Sequence, residues 1–192
     1  MIAEKDQRIG VFVDIQNLYH SAKNLYNSRV NYNELVNNIV GERKLMRAVA
    51  YVVKSEGIDG FFHGEAEKEK TSGKNRRVVS PEAAFFKALE ETGFELRSKD
   101  LQVYPGGMKK ADWDVGLAVD AIRMSGSLDN IILVTGDGDF VPLIEYLQWG
   151  LGKVVEVAAF GKSASSRLRE AADKFISLDD IPKILLNIKR RK

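Results

Sequence analysis

Apolar and polar positions along the chain follow two rhythms. Unbroken apolar runs occur at Ile9-Gly10-Val11-Phe12-Val13 and at Ile131-Ile132-Leu133-Val134, and largely apolar runs at 45–53, interrupted by Arg47, and at 153–159, which contains Lys153 and Glu156. Runs of β-forming residues without polar alternation read as strands buried on both faces, the habit of parallel sheets. A shorter alternating strand is predicted at 94–97 and a last one at 175–178. Helical segments are predicted between them, at 18–26, 31–39, 81–91, 140–149 and 163–174. The helix at 81–91 starts on Pro81, is closed by Gly93, and carries Ala84, Phe85, Ala88 and Leu89 on one face. Another helix starts near Asp112 as N-cap and ends near Ser125, with Val115, Ala118, Val119 and Ile122 as its apolar stripe. Asp179 is read as the cap of a terminal helix carrying Ile181, Ile184, Leu185 and Ile188. Strands that alternate with helices predict a three-layer α/β/α sandwich with a mainly parallel central sheet.

Two stretches break the rhythm. Residues 54–80 are polar and without periodicity, with an acidic half at Glu65-Ala66-Glu67-Lys68-Glu69-Lys70 and a basic half at Lys74-Asn75-Arg76-Arg77. The first half reads as a solvated insertion, and Lys74, Arg76 and Arg77 as candidate phosphate contacts. Pro105-Gly106-Gly107 breaks the chain again, just ahead of Lys109 and Lys110. At 192 residues the whole chain is expected to be one domain, 1–192, with its core at about 8–180 and a solvated basic tail.

Acidic residues recur where predicted strands hand over to helices. The run Ile131-Ile132-Leu133-Val134-Thr135-Gly136-Asp137-Gly138-Asp139-Phe140 places Asp137 and Asp139 just beyond a strand's carboxyl end, where open α/β sheets bind ligands. Gly136 and Gly138 are expected to let the backbone turn there. A bland alternative is that Asp139 caps the following helix and Asp137 fills the turn; capping explains one aspartate better than two. Asp14 ends the first strand, and Asn17, one helical turn on, can face the same point or satisfy backbone donors. Asp114 falls in the first turn of its helix, a position the helix dipole favours by itself. Asp120 lies about 120° further round that helix and is not expected to join it.

Composition narrows the chemistry. The 29 basic and 27 acidic residues give a net charge of +2, too small to imply a polyanionic partner. There is no cysteine and only two histidines, so a Cys-built zinc site, a thiolate nucleophile and an all-histidine structural zinc site are excluded. Any metal must be held by oxygen. Close carboxylates repel unless a cation lies among them, and Mg²⁺ or Mn²⁺ is the natural filler. Without an apolar leader or a run near the ~20 residues a bilayer requires, a cytoplasmic location away from membranes is expected.

The chain resembles the NYN domain, a branch of the PIN-like metal-dependent nucleases, and within it the LabA-like proteins. The likeness rests on Val11-Phe12-Val13-Asp14-Ile15-Gln16-Asn17, on Ala111-Asp112-Trp113-Asp114 through Asp120, on Val134-Thr135-Gly136-Asp137-Gly138-Asp139-Phe140-Val141-Pro142-Leu143, on 153–160, and on Ser165-Ser166-Arg167-Leu168 with Ala171-Ala172-Asp173. It implies a PIN-like fold and a Mg²⁺/Mn²⁺ carboxylate site that cleaves RNA or another nucleic acid. In it, Asp14, Asp114, Asp137 and Asp139 are the catalytic metal acids, with Asn17, Asp112 and Thr135 as secondary members.

The expected function is therefore hydrolysis of single-stranded RNA, with Lys109, Lys110, Arg76, Arg77 and Arg167 gripping the backbone. Self-association into a homo-oligomer is compatible with the sequence. The alternative is a catalytically silent regulator that binds nucleic acid or protein through the same crevice. A phosphatase with an aspartyl nucleophile is a third reading, but Asp14-Ile15-Gln16 lacks the second acid expected two residues on.

Overall fold

The structure, a computed structural model, describes residues 4–54, 80–103, 109–110 and 112–187. Lys74, Arg76 and Arg77, nearly all of the charged insertion, and the basic tail lie outside the described residues. In chain order the elements are β1 (Arg8–Asp14), α1 (Ile15–Tyr26), β2 (Ser28–Val30), α2 (Tyr32–Val40), β3 (Lys44–Lys54), α3 (Pro81–Glu91), β4 (Glu95–Asp100), β5 (Gln102–Val103), β6 (Lys109–Lys110), α4 (Asp114–Met124), β7 (Asn130–Val134), α5 (Val141–Glu145), β8 (Val154–Ala159), α6 (Ser166–Ala171), β9 (Lys174–Ser177) and β10 (Leu185–Asn187).

Six strands form one sheet in the order β4-β3-β1-β7-β8-β9, every neighbouring pair parallel. The apolar runs make this possible because both faces are covered. In β1, Ile9, Val11 and Val13 pack into a core under α1, α2 and α3, while Phe12 faces a second core under α4, α5 and α6. The result is the three-layer α/β/α arrangement that the alternation of elements predicted. From β1 the chain works outward to β3 and β4, then returns to lay β7 against the other side of β1 and works outward again to β8 and β9. The sheet therefore reverses its winding between β1 and β7, and a crevice opens at their carboxyl ends.

Four elements depart from the sequence expectation. The predicted terminal helix is instead β10, antiparallel to β2 with Leu185 opposite Val30; the Asn31 N–H also donates to the Ile184 carbonyl at 2.8 Å. A three-residue β2 left an edge that the apolar tail residues satisfy better as a strand. On α4 the stripe Val115, Val119 and Ile122 faces outward at 74%, 46% and 37% exposure, and the buried face is Leu117, Asp120 and Ala121. Asp112 does not cap this helix: Trp113 holds the N-cap position without a side-chain bond, its indole N–H donating to the Val52 carbonyl at 2.8 Å. The predicted helix 140–149 begins one turn early as a 3₁₀ turn, Gly138–Phe140, continues as α5, and ends in a π turn, Tyr146–Gly150. The helix 163–174 is shorter, α6 alone, because Lys174 already belongs to β9. Pro81 and Gly93 act as read: Ser80 caps α3, and Gly93 takes a positive φ of 95° just past its end.

Candidate active site

Asp14 is the last residue of β1 and the N-cap of α1. Its carboxylate accepts from the Asn17 N–H at 3.1 Å and, by strand alternation, shares the sheet face of Phe12, the face covered by α4. Asn17 faces across the crevice rather than capping its own helix: its side-chain oxygen accepts from the Gly136 N–H at 2.9 Å, tying the start of α1 to the loop after β7.

That loop is shaped by two local hydrogen bonds and one from the segment after β8. Thr135 is buried, and its hydroxyl accepts from the Asp137 N–H at 3.2 Å. Asp137, not Asp139, is the cap of the following turn, accepting from the Asp139 N–H at 2.9 Å. The Ser165 N–H donates to the Gly136 carbonyl at 2.9 Å, docking the segment after β8 onto the loop. This last contact is the reason for the glycines, neither of which has a positive φ. A Cβ on Gly136 would lie 2.7 Å from the Ser163 carbonyl oxygen, and one on Gly138 would lie 2.8 Å from the Ser165 hydroxyl. Close approach, not turning, fixes glycine here, and Ser163 and Ser165 belong to the site's framework although the sequence reading gave them no role.

The acids then meet electrostatically. Burial pushes the Asp14 carboxyl up to about 6; its capping bond to Asn17 opposes this, and the fields of Asp114 and Asp137 add to it. Asp114, in the first turn of α4, is also raised, by burial first and then by Asp137, Asp112 and Asp139, with Lys99 pulling it back. Four acids from three segments thus share one electrostatic environment at the winding reversal. Among the described residues none of Asp14, Asp114, Asp137 and Asp139 forms an ion pair. Nor, among the described residues, do three or more His, Cys, Asp or Glu side chains converge into a ready-made metal cage. The acids are coupled through space without being clasped.

The remaining candidates are not among these four acids. Asp112 is exposed at the mouth of α4, and Arg167 is exposed in the first turn of α6. Lys109 and Lys110 form β6, paired antiparallel with β5 beyond the end of β4. Asp120 stands away from the crevice, accepting from the Tyr51 hydroxyl and from Arg97 Nε, both at 3.2 Å. A cleft of about 670 Å³ between the end of α2 and β9 contains none of the four acids; size alone does not locate the chemistry. Two residues missed from the sequence stand next to Asp114: Trp113, and Lys99 near the end of β4, whose ammonium lies 5.0 Å from the Trp113 ring centre.

Fold and site together define an open parallel α/β protein with an acidic centre at its topological switch point. The NYN domain model matches residues 8–179, and the chain belongs to that family, a branch of the PIN-like nucleases. It is 31% identical over 103 residues to the Low amplitude and bright protein LabA of Synechococcus elongatus, an alignment covering 50% of this chain and 55% of that protein. The chain thus spans about half the length of this curated relative. A crystal structure of a protein of unknown function from Vibrio parahaemolyticus has the same fold, with a TM-score of 0.76 and 30% identity, covering 97% of this chain and all of that one.

Proposed function

We propose that this protein is a Mg²⁺- or Mn²⁺-dependent ribonuclease that hydrolyses phosphodiester bonds of single-stranded RNA at the acidic crevice, within a single domain. The observation that carries the reading is the set of carboxylates at the switch point that form no ion pair among the described residues, where burial and mutual repulsion hold Asp14 at about 6 and raise Asp114. Membership of a PIN-like nuclease family supports it. An all-oxygen donor set fits a hard cation, and Mg²⁺ is held through one or two carboxylates while keeping several waters. Asp14, Asp137 and Asp139, with Asp114 opposite, are the residues that would hold it. When bound, such a cation supplies an activated water and neutralises charge on the phosphodiester.

The chain's own residues prepare the site. Asn17 fixes the β7 loop relative to β1, Thr135 and the Asp137 cap fix the directions of the two loop acids, and Ser163 to Ser165 brace the loop from behind. Such bracing lowers the reorganisation needed when charge develops in the transition state. Lys109, Lys110 and Arg167, with Arg76 and Arg77, would carry the substrate backbone. The deciding experiment incubates labelled single-stranded RNA with purified protein and Mn²⁺ or Mg²⁺, with and without chelator, alongside Asp14→Asn. Chelator-sensitive cleavage lost in the mutant supports the reading. Binding without cleavage under either metal gives the site to a regulator instead.

A further inference from the structure

We infer that Lys99, seated on the indole of Trp113 beside Asp114, contacts a backbone phosphate of the substrate; this deepens, and rests on, the reading of the crevice as a site for RNA. Parallel pairing with β3 sets Arg97 opposite Tyr51 and Lys99 opposite Val53. Alternation puts both basic side chains on the α4 side of the sheet, Lys99 one step closer to the carboxyl end. Their surroundings differ. Arg97 is committed to Asp120 at 3.2 Å, and Arg123 reaches the same carboxylate at 3.6 Å. Lys99 makes no ion pair among the described residues, and its partner is an aromatic face.

That face is a fixed platform. The Trp113 indole N–H is held by the Val52 carbonyl at 2.8 Å, and the ring meets Tyr51 at 5.4 Å between centres. Gly116 lies beneath it, so close that an added Cβ would come within 2.6 Å of the ring. Trp113 is therefore restrained on several sides, and a lysine resting on it by cation–π attraction still has N–H donors to offer a phosphate. The charge is also felt inside the crevice, since Lys99 opposes the upward shift of Asp114. A polyanion approaching four carboxylates needs a cation at the point of entry, and an ammonium is a suitable point charge for a phosphate.

The test measures affinity for a short single-stranded RNA by fluorescence anisotropy, in chelator, at two salt concentrations. It uses wild type, Lys99→Met, which keeps the apolar stem over Trp113, and Lys99→Arg. Lys99→Met is expected to weaken binding three- to tenfold and to reduce the salt slope by about 0.7, one single-strand phosphate contact, with Lys99→Arg within about twofold of wild type. Matching unfolding midpoints establish that both variants are folded. Unchanged affinity and slope in folded Lys99→Met overturn the inference while leaving the RNA reading intact, and so does a variant that alters only the metal requirement of cleavage, because Lys99 would then act through Asp114. If wild-type protein binds no RNA, the RNA reading itself fails and takes this inference with it.

Discussion

At the amino-terminal half of the sheet, Glu156 is buried against Arg43 at 2.5 Å, accepts from the Asn130 amide at 2.7 Å, and shares Arg43 with the carbonyls that end α2. Asp129, where the chain enters β7, takes both nitrogens of an Arg8 fork, which holds its carboxyl down at about 2. Beyond the carboxyl ends of the sheet, Asp14, Asp114, Asp137 and Asp139 share one electrostatic environment without an ion pair among the described residues, and burial drives Asp14 up to about 6. One sheet therefore treats acids in two ways. Where an acid serves the fold, the sequence supplies its cation. Where no such cation pairs with an acid among the described residues, as at Asp14, local stability is given up, a pattern that functional centres often show.

The sharpest way to break this contrast is to orphan the structural acid. Arg43→Ala leaves Glu156 charged and buried, which is expected to cost about 3–5 kcal/mol in urea unfolding. Replacing the pair together, Arg43→Met with Glu156→Leu, recovers most of that loss, because the cost lies in the unpaired charge.

The opposite sign is expected at the other end. Asp14→Asn keeps the cap, since Asn and Asp cap equally well, and removes a repelled charge. A carboxyl at about 6 in the folded state, above its ordinary value near 3.8, contributes stability that is present below that ordinary value and lost as pH rises through 6. Metal-free Asp14→Asn should therefore be more stable than wild type by about 1–3 kcal/mol above pH 7, with the gain vanishing near pH 4. A gain independent of pH, or a loss at pH 8, contradicts the electrostatic origin.

Two glycines contrast the same two ends sterically. Gly136→Ala drives a Cβ into the Ser163 carbonyl and is expected to destabilise by about 1–3 kcal/mol and to disturb the acid loop. Gly126, before β7 at the opposite end, has nothing within 4 Å of an added Cβ, and Gly126→Ala should change the midpoint by less than about 0.5 kcal/mol.

Much of this contrast was legible in the chain. Runs such as Val11-Phe12-Val13 and Ile131-Ile132-Leu133-Val134 can be buried on both faces only in a covered parallel sheet, and acids just beyond such runs fall at a carboxyl-end crevice. What remained hidden depended on partners distant in sequence. The stripe of Val115, Val119 and Ile122 pointed the wrong way because Asp120 is made acceptable inside by Tyr51 and Arg97 from two other strands. The tail at 185–187 became a strand because β2, too short to read alone, offered it an edge. The alternative in which Asp139 caps the helix failed because a 3₁₀ turn begins the segment at Gly138, two residues ahead of Phe140, and moves the cap to Asp137. Lys99 carried no signal in its own strand, and only the fold places it over Trp113.

If the proposed function holds, the carboxyl-end acids, which form no ion pair among the described residues, receive a divalent cation. The most direct test of this claim is the melting temperature of chelator-treated protein as Mn²⁺ or Mg²⁺ is added, in wild type, Asp14→Asn, Asp137→Asn and Arg43→Met with Glu156→Leu. A ligand that binds only the folded state raises it, by about 1.4 kcal/mol in stability at ten times its dissociation constant. Wild type and the Arg43/Glu156 variant should show the metal-dependent rise, and the two aspartate variants should not. An equal rise in all four proteins, or none in wild type, contradicts the claim.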